Sequence, residues 1–327
     1  MIFDAVIIGA GPSGLTLAIQ LSKFGKKVAL IDKEEKDKIG FMIGAGVIKL
    51  DIFNSLGIKR STGEELLAFI DTFNVYSCTG KTHKTTSYSG ISVNRSLFTQ
   101  RLINIAEEQG VVIRHSTTIS SLNIENEYVT GVTSSTGEVI SGKIVIDASG
   151  FNRKFVSQIP DSFKIEKDIK PKDIATGYVY VFDKPEKTTY LTSYLAVNEG
   201  YIWKTPTEIG YGSINKEINI KKTLDDFIAE HFKIDDPMSK HYEGSLPVRQ
   251  NLYNMVGNGF TVCGDNACMT NPIEGTGIFT GMLGAKISAD VINKCLDKND
   301  LSQKALWEVN VNYNKTQGAN LAYMDML

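Results

Sequence analysis

The 327-residue chain is poor in the residue types that would carry the simplest chemistries. Its four cysteines, Cys78, Cys263, Cys268 and Cys295, are too sparse for a disulfide framework, and no two form a CxxC pair. With only four histidines scattered along the sequence, a structural zinc site has no ligands at workable spacing, so no metal is expected. Basic excess is missing too: 35 Lys and Arg against 37 Asp and Glu leave a net charge of −2, and no nucleic acid partner is expected. There is no Ser/His/Asp set and no pair of carboxylates at a spacing useful for acid–base work. A long unbroken apolar run is also absent. Residues 5–21 are uncharged, but Gly9, Gly11, Pro12 and Gly14 interrupt them, and Asp4 rather than Lys or Arg precedes them. With 42% hydrophobic and 22% charged residues, the composition is that of a reduced, cytoplasmic globular protein of about two domains.

What is present begins at the N-terminus. Ala5-Val6-Ile7-Ile8 reads as a strand buried on both faces, and it runs into Gly9-Ala10-Gly11-Pro12-Ser13-Gly14, a GxGxxG match. An amphipathic segment follows (Leu15, Leu17, Ala18, Leu21), stops near Gly25 and gives way to a second strand over 27–31 that Asp32 closes. Each part has a task in holding a nucleotide. Gly9 permits the tight turn, Gly11 lets the backbone approach a pyrophosphate, and Gly14 lets helix and strand pack closely. The helix N-terminus offers free N–H groups to phosphate, and Asp32 would accept from an adenosine ribose. This motif alone does not separate NAD from FAD.

Later segments separate them. Ser92-Val93-Asn94-Arg95-Ser96-Leu97-Phe98 leads into a helix, and strands follow over 111–115, 129–134 and 143–147, the last ending in Asp147-Ala148-Ser149-Gly150. Far downstream come Gly264-Asp265 and then Pro272, Gly275, Gly277 and Ile278, where another glycine-rich helix starts after a buried strand. In order and spacing these pieces resemble the FAD-dependent family that contains geranylgeranyl reductases and, more distantly, para-hydroxybenzoate-hydroxylase-type monooxygenases and flavin halogenases. The resemblance implies FAD as cofactor, in an α/β fold. A Rossmann-type FAD-binding domain (1–66, 93–160, 245–296) would interleave with an antiparallel-sheet substrate domain (67–92, 161–244) and end in a short helical segment (297–327). It implies FAD contacts from the first motif with Asp32 and Lys33, from Gly44 and Ala45, from Arg95 and Ile119, from Ala148, Ser149 and Gly150, and from Gly264, Asp265, Pro272, Gly275, Gly277 and Ile278. Asn94 departs from the family, many of whose members have Asp there. Arg249 stays an undecided surface or active-site cation.

Alternating aromatic and small residues over 175–182, 188–197, 200–205 and 209–214 predict an antiparallel sheet with one buried face, and 224–232 a helix on it. Tyr201-Ile202-Trp203-Lys204-Thr205-Pro206 is similar to the P-x-x-Y-x-W-x-F-P pattern that lines the lipid cavity of geranylgeranyl reductases, with Asn198 and Thr205 in place of the first Pro and the Phe. Tyr201 and Trp203 are the candidate substrate contacts; core aromatics on a strand are the plain alternative. Some archaeal relatives place a cysteine near Gly44, but this chain has none between Asp32 and Cys78, so cysteine chemistry is not expected there. Relatives often continue for several tens of residues more, so the cavity is expected to be smaller, more open, or closed by a partner chain.

The expected function is FAD-dependent reduction of carbon–carbon double bonds in an isoprenoid or similar apolar substrate, by hydride from flavin N5. No catalytic side chain is assigned. The electron donor, NAD(P)H or a ferredoxin-like protein, is not readable, and membrane contact is expected only through a lipid substrate. Two alternatives stay open on the same fold: a flavin monooxygenase or, less favoured, a halogenase, and an electron-transfer flavoprotein with no substrate of its own.

Overall fold

The computed structural model describes residues 2–40, 45–232, 238, 240–271 and 275–321. The chain opens with β1 (Ile2–Ile8), α1 (Pro12–Lys23), β2 (Val28–Ile31), β3 (Ala45–Lys49) and α2 (Asp51–Leu56). A long hairpin, β4 (Leu66–Tyr76) and β5 (His83–Asn94), leads into α3 (Arg95–Glu108) and β6 (Val112–Arg114). Next come β7 (Ile119–Glu125), β8 (Tyr128–Ser134) and β9 (Val139–Asp147). Then follow β10 (Ile174–Val181), β11 (Tyr190–Val197), β12 (Gly200–Lys204), β13 (Glu208–Ser213), α4 (Ile220–His231) and β14 (Lys240–Pro247). The last stretch holds β15 (Val256–Gly257), β16 (Phe260–Val262), α5 (Ile278–Asp297), α6 (Gln303–Leu306) and α7 (Glu308–Tyr313).

Two units divide these elements. The first comprises Met1–Phe41, Thr99–Ile169 and Val248–Leu327. Its sheet runs β15-β16-β9-β1-β2-β6, with the β7–β8 hairpin attached through β9. β1 lies parallel to both β2 and β9, with Ala5 opposite Val28 on one side and Ile144 on the other. Ala5, Val6 and Ile7 have no exposed surface at all, as expected of a parallel strand covered on both faces. Residues 5–21 thus resolve into a strand, a turn and a helix. Among the described residues no helix is long and apolar enough to cross a membrane.

The second unit comprises Met42–Phe98 and Lys170–Pro247. Its sheet has the order β14-β10-β13-β12-β11-β4-β5-β3 and is antiparallel except where β11 meets β4. One face buries Tyr178, Ile202, Tyr211 and Ile209 against Leu224 and Phe227 of α4. Asn219 caps that helix, its side chain accepting the Lys222 amide at 3.0 Å. Because side chains alternate along a strand, Tyr201 and Trp203 lie on the opposite face.

The chain is the two-part α/β fold expected, a Rossmann-like domain with an antiparallel-sheet domain inserted. The unit boundaries differ from those read from the sequence. Residues 45–66 group with the second unit, because β3 pairs antiparallel with β5, placing Ala45 opposite Asn94. The described residues after 296 group with the first unit rather than apart, because α7 packs on α5.

Candidate functional site

The first bend is shaped by its backbone. Gly9 sits at φ +100°, and a Cβ there would overlap the carbonyl of Ala148. Gly14 faces the carbonyl oxygen of Gly9 so closely that it too admits no side chain. Gly11 is different: it has ordinary φ, −71°, and nothing lies within 4 Å of where its Cβ would be. It caps α1 without any side-chain hydrogen bond, and Pro12 opens the helix, so the first turn of amides has no side-chain cap. Asp32, at the end of β2, fixes this bend. One carboxylate oxygen accepts the Ala10 amide at 2.7 Å and the other the Glu34 amide at 2.9 Å. A carboxylate has about four acceptor positions, so two remain for hydroxyls of a ribose. Lys33 beside it is exposed and pairs with Glu34 at 3.6 Å.

The second bend meets the first at Ser13. Gly264, at φ +71°, lies against the Ser13 hydroxyl, and so does Gly281 of α5. Gly281 is therefore a packing site that brings α5 onto α1, while Gly284 seats Met269 and Tyr313. Asp265 accepts the Thr270 hydroxyl at 3.0 Å, and its Oδ1 lies 3.0 Å from where a Cβ on Gly277 would be. Gly277 precedes α5 with no side-chain cap, and Ile278 is the first helical residue. Gly275 takes φ +64°. Burial pushes the Cys263 and Cys268 thiols up to about 12, so both act as small apolar groups.

Ala148 donates its amide to Ile8, and Gly150 (φ +82°) opens on empty space. The Ser149 hydroxyl and amide both donate to Asp147 Oδ1, at 2.6 and 3.1 Å. Asp147 is fully buried, and that burial raises its pKa. Ile119 starts β7, buried, just beyond Thr117, whose amide donates to the Asp32 carbonyl. These residues and the two bends all belong to the first unit. Arg95 begins α3 in the second unit, where Asn94 accepts the Leu97 amide at 3.2 Å; Asn suits that N-cap as well as Asp would. Gly44 and Pro272 lie outside the described residues, as does the side chain of Ala45.

The sequence reading missed a polar cluster behind the bends. Arg153, in the left-handed region at φ +55° and buried, donates to the carbonyls of Glu166, Lys167 and Asn266. Arg249 binds Glu166 at 2.9 Å, so this undecided cation is a partner in the same cluster. Arg153 stands outside any helix or strand, where no periodic pattern marks it in the sequence.

On the face of the second sheet opposite α4, the Tyr201 and Trp203 rings lie 5.5 Å apart. The indole covers Gly210, where a Cβ would overlap it, and reaches toward Gly212 and Gly177. Its N–H points to Glu208 Oε1 at 3.4 Å, and the Tyr242 hydroxyl donates to Glu208 Oε2 at 3.3 Å. Glu208 is only 6% exposed. Burial, and then the charge of Glu208, raises the Tyr242 pKa, while Arg95 works in the other direction.

The tryptophan halogenase family model matches residues 67–322, and a model of NAD(P)-binding Rossmann-like domains matches residues 7–44. The digeranylgeranylglycerophospholipid reductase of Sulfolobus acidocaldarius is 30% identical, across 99% of this chain and 76% of its own length. A geranylgeranyl bacteriochlorophyll reductase-like protein from Thermoplasma acidophilum superposes with a TM-score of 0.87 at 22% identity, covering 99% of this chain and 88% of that one. A flavin-dependent brominase superposes at 0.81 with 20% identity, covering 98% and 86%. At such identities the structural likeness speaks for the fold.

Proposed function

The chain belongs to the geranylgeranyl-reductase family of FAD-dependent, para-hydroxybenzoate-hydroxylase-like flavoproteins, and from that membership we propose that it reduces carbon–carbon double bonds of an isoprenoid substrate. Its cofactor is FAD. The arrangement of the first unit fits that group: open space at Gly11, uncapped amides on α1, and acceptor positions left on Asp32. In this reading the residues of the first bend hold the pyrophosphate and Asp32 the adenosine ribose. Asp265 holds the ribityl chain. The uncapped N-terminus of α5 faces the flavin, where a positive helix end stabilises negative charge. When bound, the flavin supplies hydride to one carbon of the double bond. Tyr201 and Trp203 hold the apolar chain by its flat groups and keep water from it. The electron donor, which the sequence leaves as NAD(P)H or a ferredoxin-like protein, acts without a second GxGxxG site in this chain.

The observation that carries the reading is the likeness to a digeranylgeranylglycerophospholipid reductase along 99% of the chain, joined to a cradle whose two glycine bends meet at Ser13. Purified protein is expected to show a flavin spectrum and, reduced without oxygen, to convert prenyl lipids to products heavier by two hydrogens per double bond. A colourless protein that takes up no added FAD refutes it. A lasting flavin hydroperoxide when the reduced enzyme meets oxygen moves the assignment to the monooxygenase or halogenase chemistry of the same fold.

A further inference from the structure

Arg153 is costly to the fold twice over. Its backbone takes φ +55°, the left-handed region that suits glycine, and its guanidinium is buried, with 8% of the residue exposed. In that region a Cβ crowds the neighbouring carbonyl, and a buried cation gives up its water. The contacts of the guanidinium show what offsets both. Nε donates to the Lys167 carbonyl at 3.2 Å and Nη2 to the Glu166 carbonyl. Nη1 donates to the Asn266 carbonyl and lies 3.4 Å from Asn266 Oδ1. The Glu166 carboxylate is held by Arg249 at 2.9 Å, so two arginines share that residue, one on its main chain and one on its side chain.

Asn266 is the neighbour of Asp265 in the tight turn Gly264–Ala267, and it has no exposed surface. Its amide group is gripped at both ends: Oδ1 faces Arg153, and Nδ2 donates to the Asp147 carbonyl at 3.4 Å. The same carbonyl accepts the Cys263 amide at 3.0 Å, just before the turn begins. The Asp147 side chain in turn accepts the amide and hydroxyl of Ser149. The stretch from Asp147 to Arg153 therefore carries the 148–150 segment in its middle and fastens the second bend at both of its ends. All of these residues belong to the first unit.

We propose that Arg153 is a positioning residue for FAD: by holding Asn266 it sets the direction of the adjoining Asp265 side chain. The assignment rests on the reading above in which Asp265 holds the ribityl chain, and it needs no contact between Arg153 and the cofactor. A guanidinium suits the task because its planar fork sends several donors in fixed directions. An ammonium is a single point of charge, so lysine here would keep the cation and lose the geometry.

Titration of the apoprotein with FAD tests this without turnover. R153G removes the guanidinium and leaves a residue at ease with the left-handed backbone. Its affinity for FAD is expected to fall about tenfold or more, through the loss of charge-assisted hydrogen bonds, and that of R153K about threefold or more. Combination with a variant in each bend separates positioning from a general loss of stability. R153G/D265A is expected to bind FAD within about threefold of D265A alone, because the group through which Arg153 acts is already gone. With G11A, in the other bend, the two losses should multiply. An R153G protein that binds FAD within about twofold of wild type overturns the proposal. So does an R153G/D265A loss equal to the product of the single losses. Should R153G fail to fold, R153K takes its place in both combinations, and R153K affinity equal to wild type overturns the proposal. A D265A protein that binds FAD like wild type overturns the reading of the second bend first, and this assignment with it.

Discussion

The two units reach function by opposite means. In the first, backbone sets the geometry: Gly9, Gly14 and Gly264 take positions that side chains cannot, and α1 starts without a side-chain cap. In the second, the proposed substrate contacts are side chains on a regular sheet, and Gly210 seats an indole, although Gly200 is as closely met by the Gly212 carbonyl as Gly14 is by that of Gly9. A backbone site leaves a spaced motif in the sequence, whereas a side-chain site leaves only alternation and a choice of face. The first bend should therefore break sharply at single glycines, and the sheet face under the indole in gradual steps.

The largest effect is expected from G14A, whose methyl group meets the Gly9 carbonyl: about 4 kcal/mol or more of stability lost, read by thermal melting, with FAD lost alongside. A G14A protein that melts like wild type would break the contrast. Thiol reactivity comes next. Cys78 is exposed in the second unit, while Cys263 and Cys268 are buried in the first with pKa values of about 12. At pH 8 roughly one part in ten thousand of each buried thiol is thiolate, so iodoacetamide in native protein should label Cys78 alone, and labelling of the pair should grow as pH rises. Mass spectrometry after digestion reads the pattern.

G11A sharpens the comparison further. Its methyl points into open space from an ordinary backbone, so stability should stay within about 0.5 kcal/mol of wild type. FAD binding, read by titration of the apoprotein, should weaken about tenfold or more, because the methyl sits where phosphate must approach. The smallest effects fall in the second unit. G210A should cost about 1–2 kcal/mol by tilting the Trp203 indole, whereas G244A, which meets nothing, should cost about 0.5 kcal/mol or less. Equal melting shifts for the two would show that the indole has no fixed seat.

This contrast also explains how much was legible. The strand–GxGxxG–helix unit, Asp32, and the strands over 174–213 followed from period and spacing, because each is set by neighbours in sequence. β14 was missed. Its residues 240–246 are mostly exposed and polar, and pairing with β10 makes it a strand despite its composition. The seam of 45–66 was misplaced for a similar reason: β3 belongs to β5 by hydrogen bonding, which no local pattern announces. Glu208 and Tyr242 stand 34 residues apart and meet only through sheet register, so no local pattern announced their contact. Arg153 satisfies three carbonyls from a loop, a role that leaves no periodic trace.

The meeting of Ser13 with Gly264 and Gly281 has a consequence for how the molecule is made. One bend of the proposed nucleotide cradle is made with β1 and α1, yet the other arrives only with β16 and α5, on a strand that joins the sheet beside β9. A ribosome-bound chain that has not yet extruded that helix has no closed place for the cofactor, whatever the strength of its opening motif. On the proposed reading flavin loading waits until α5 has been made, and a chain truncated before α5 should emerge as a colourless apoprotein rather than as a small nucleotide-binding fragment.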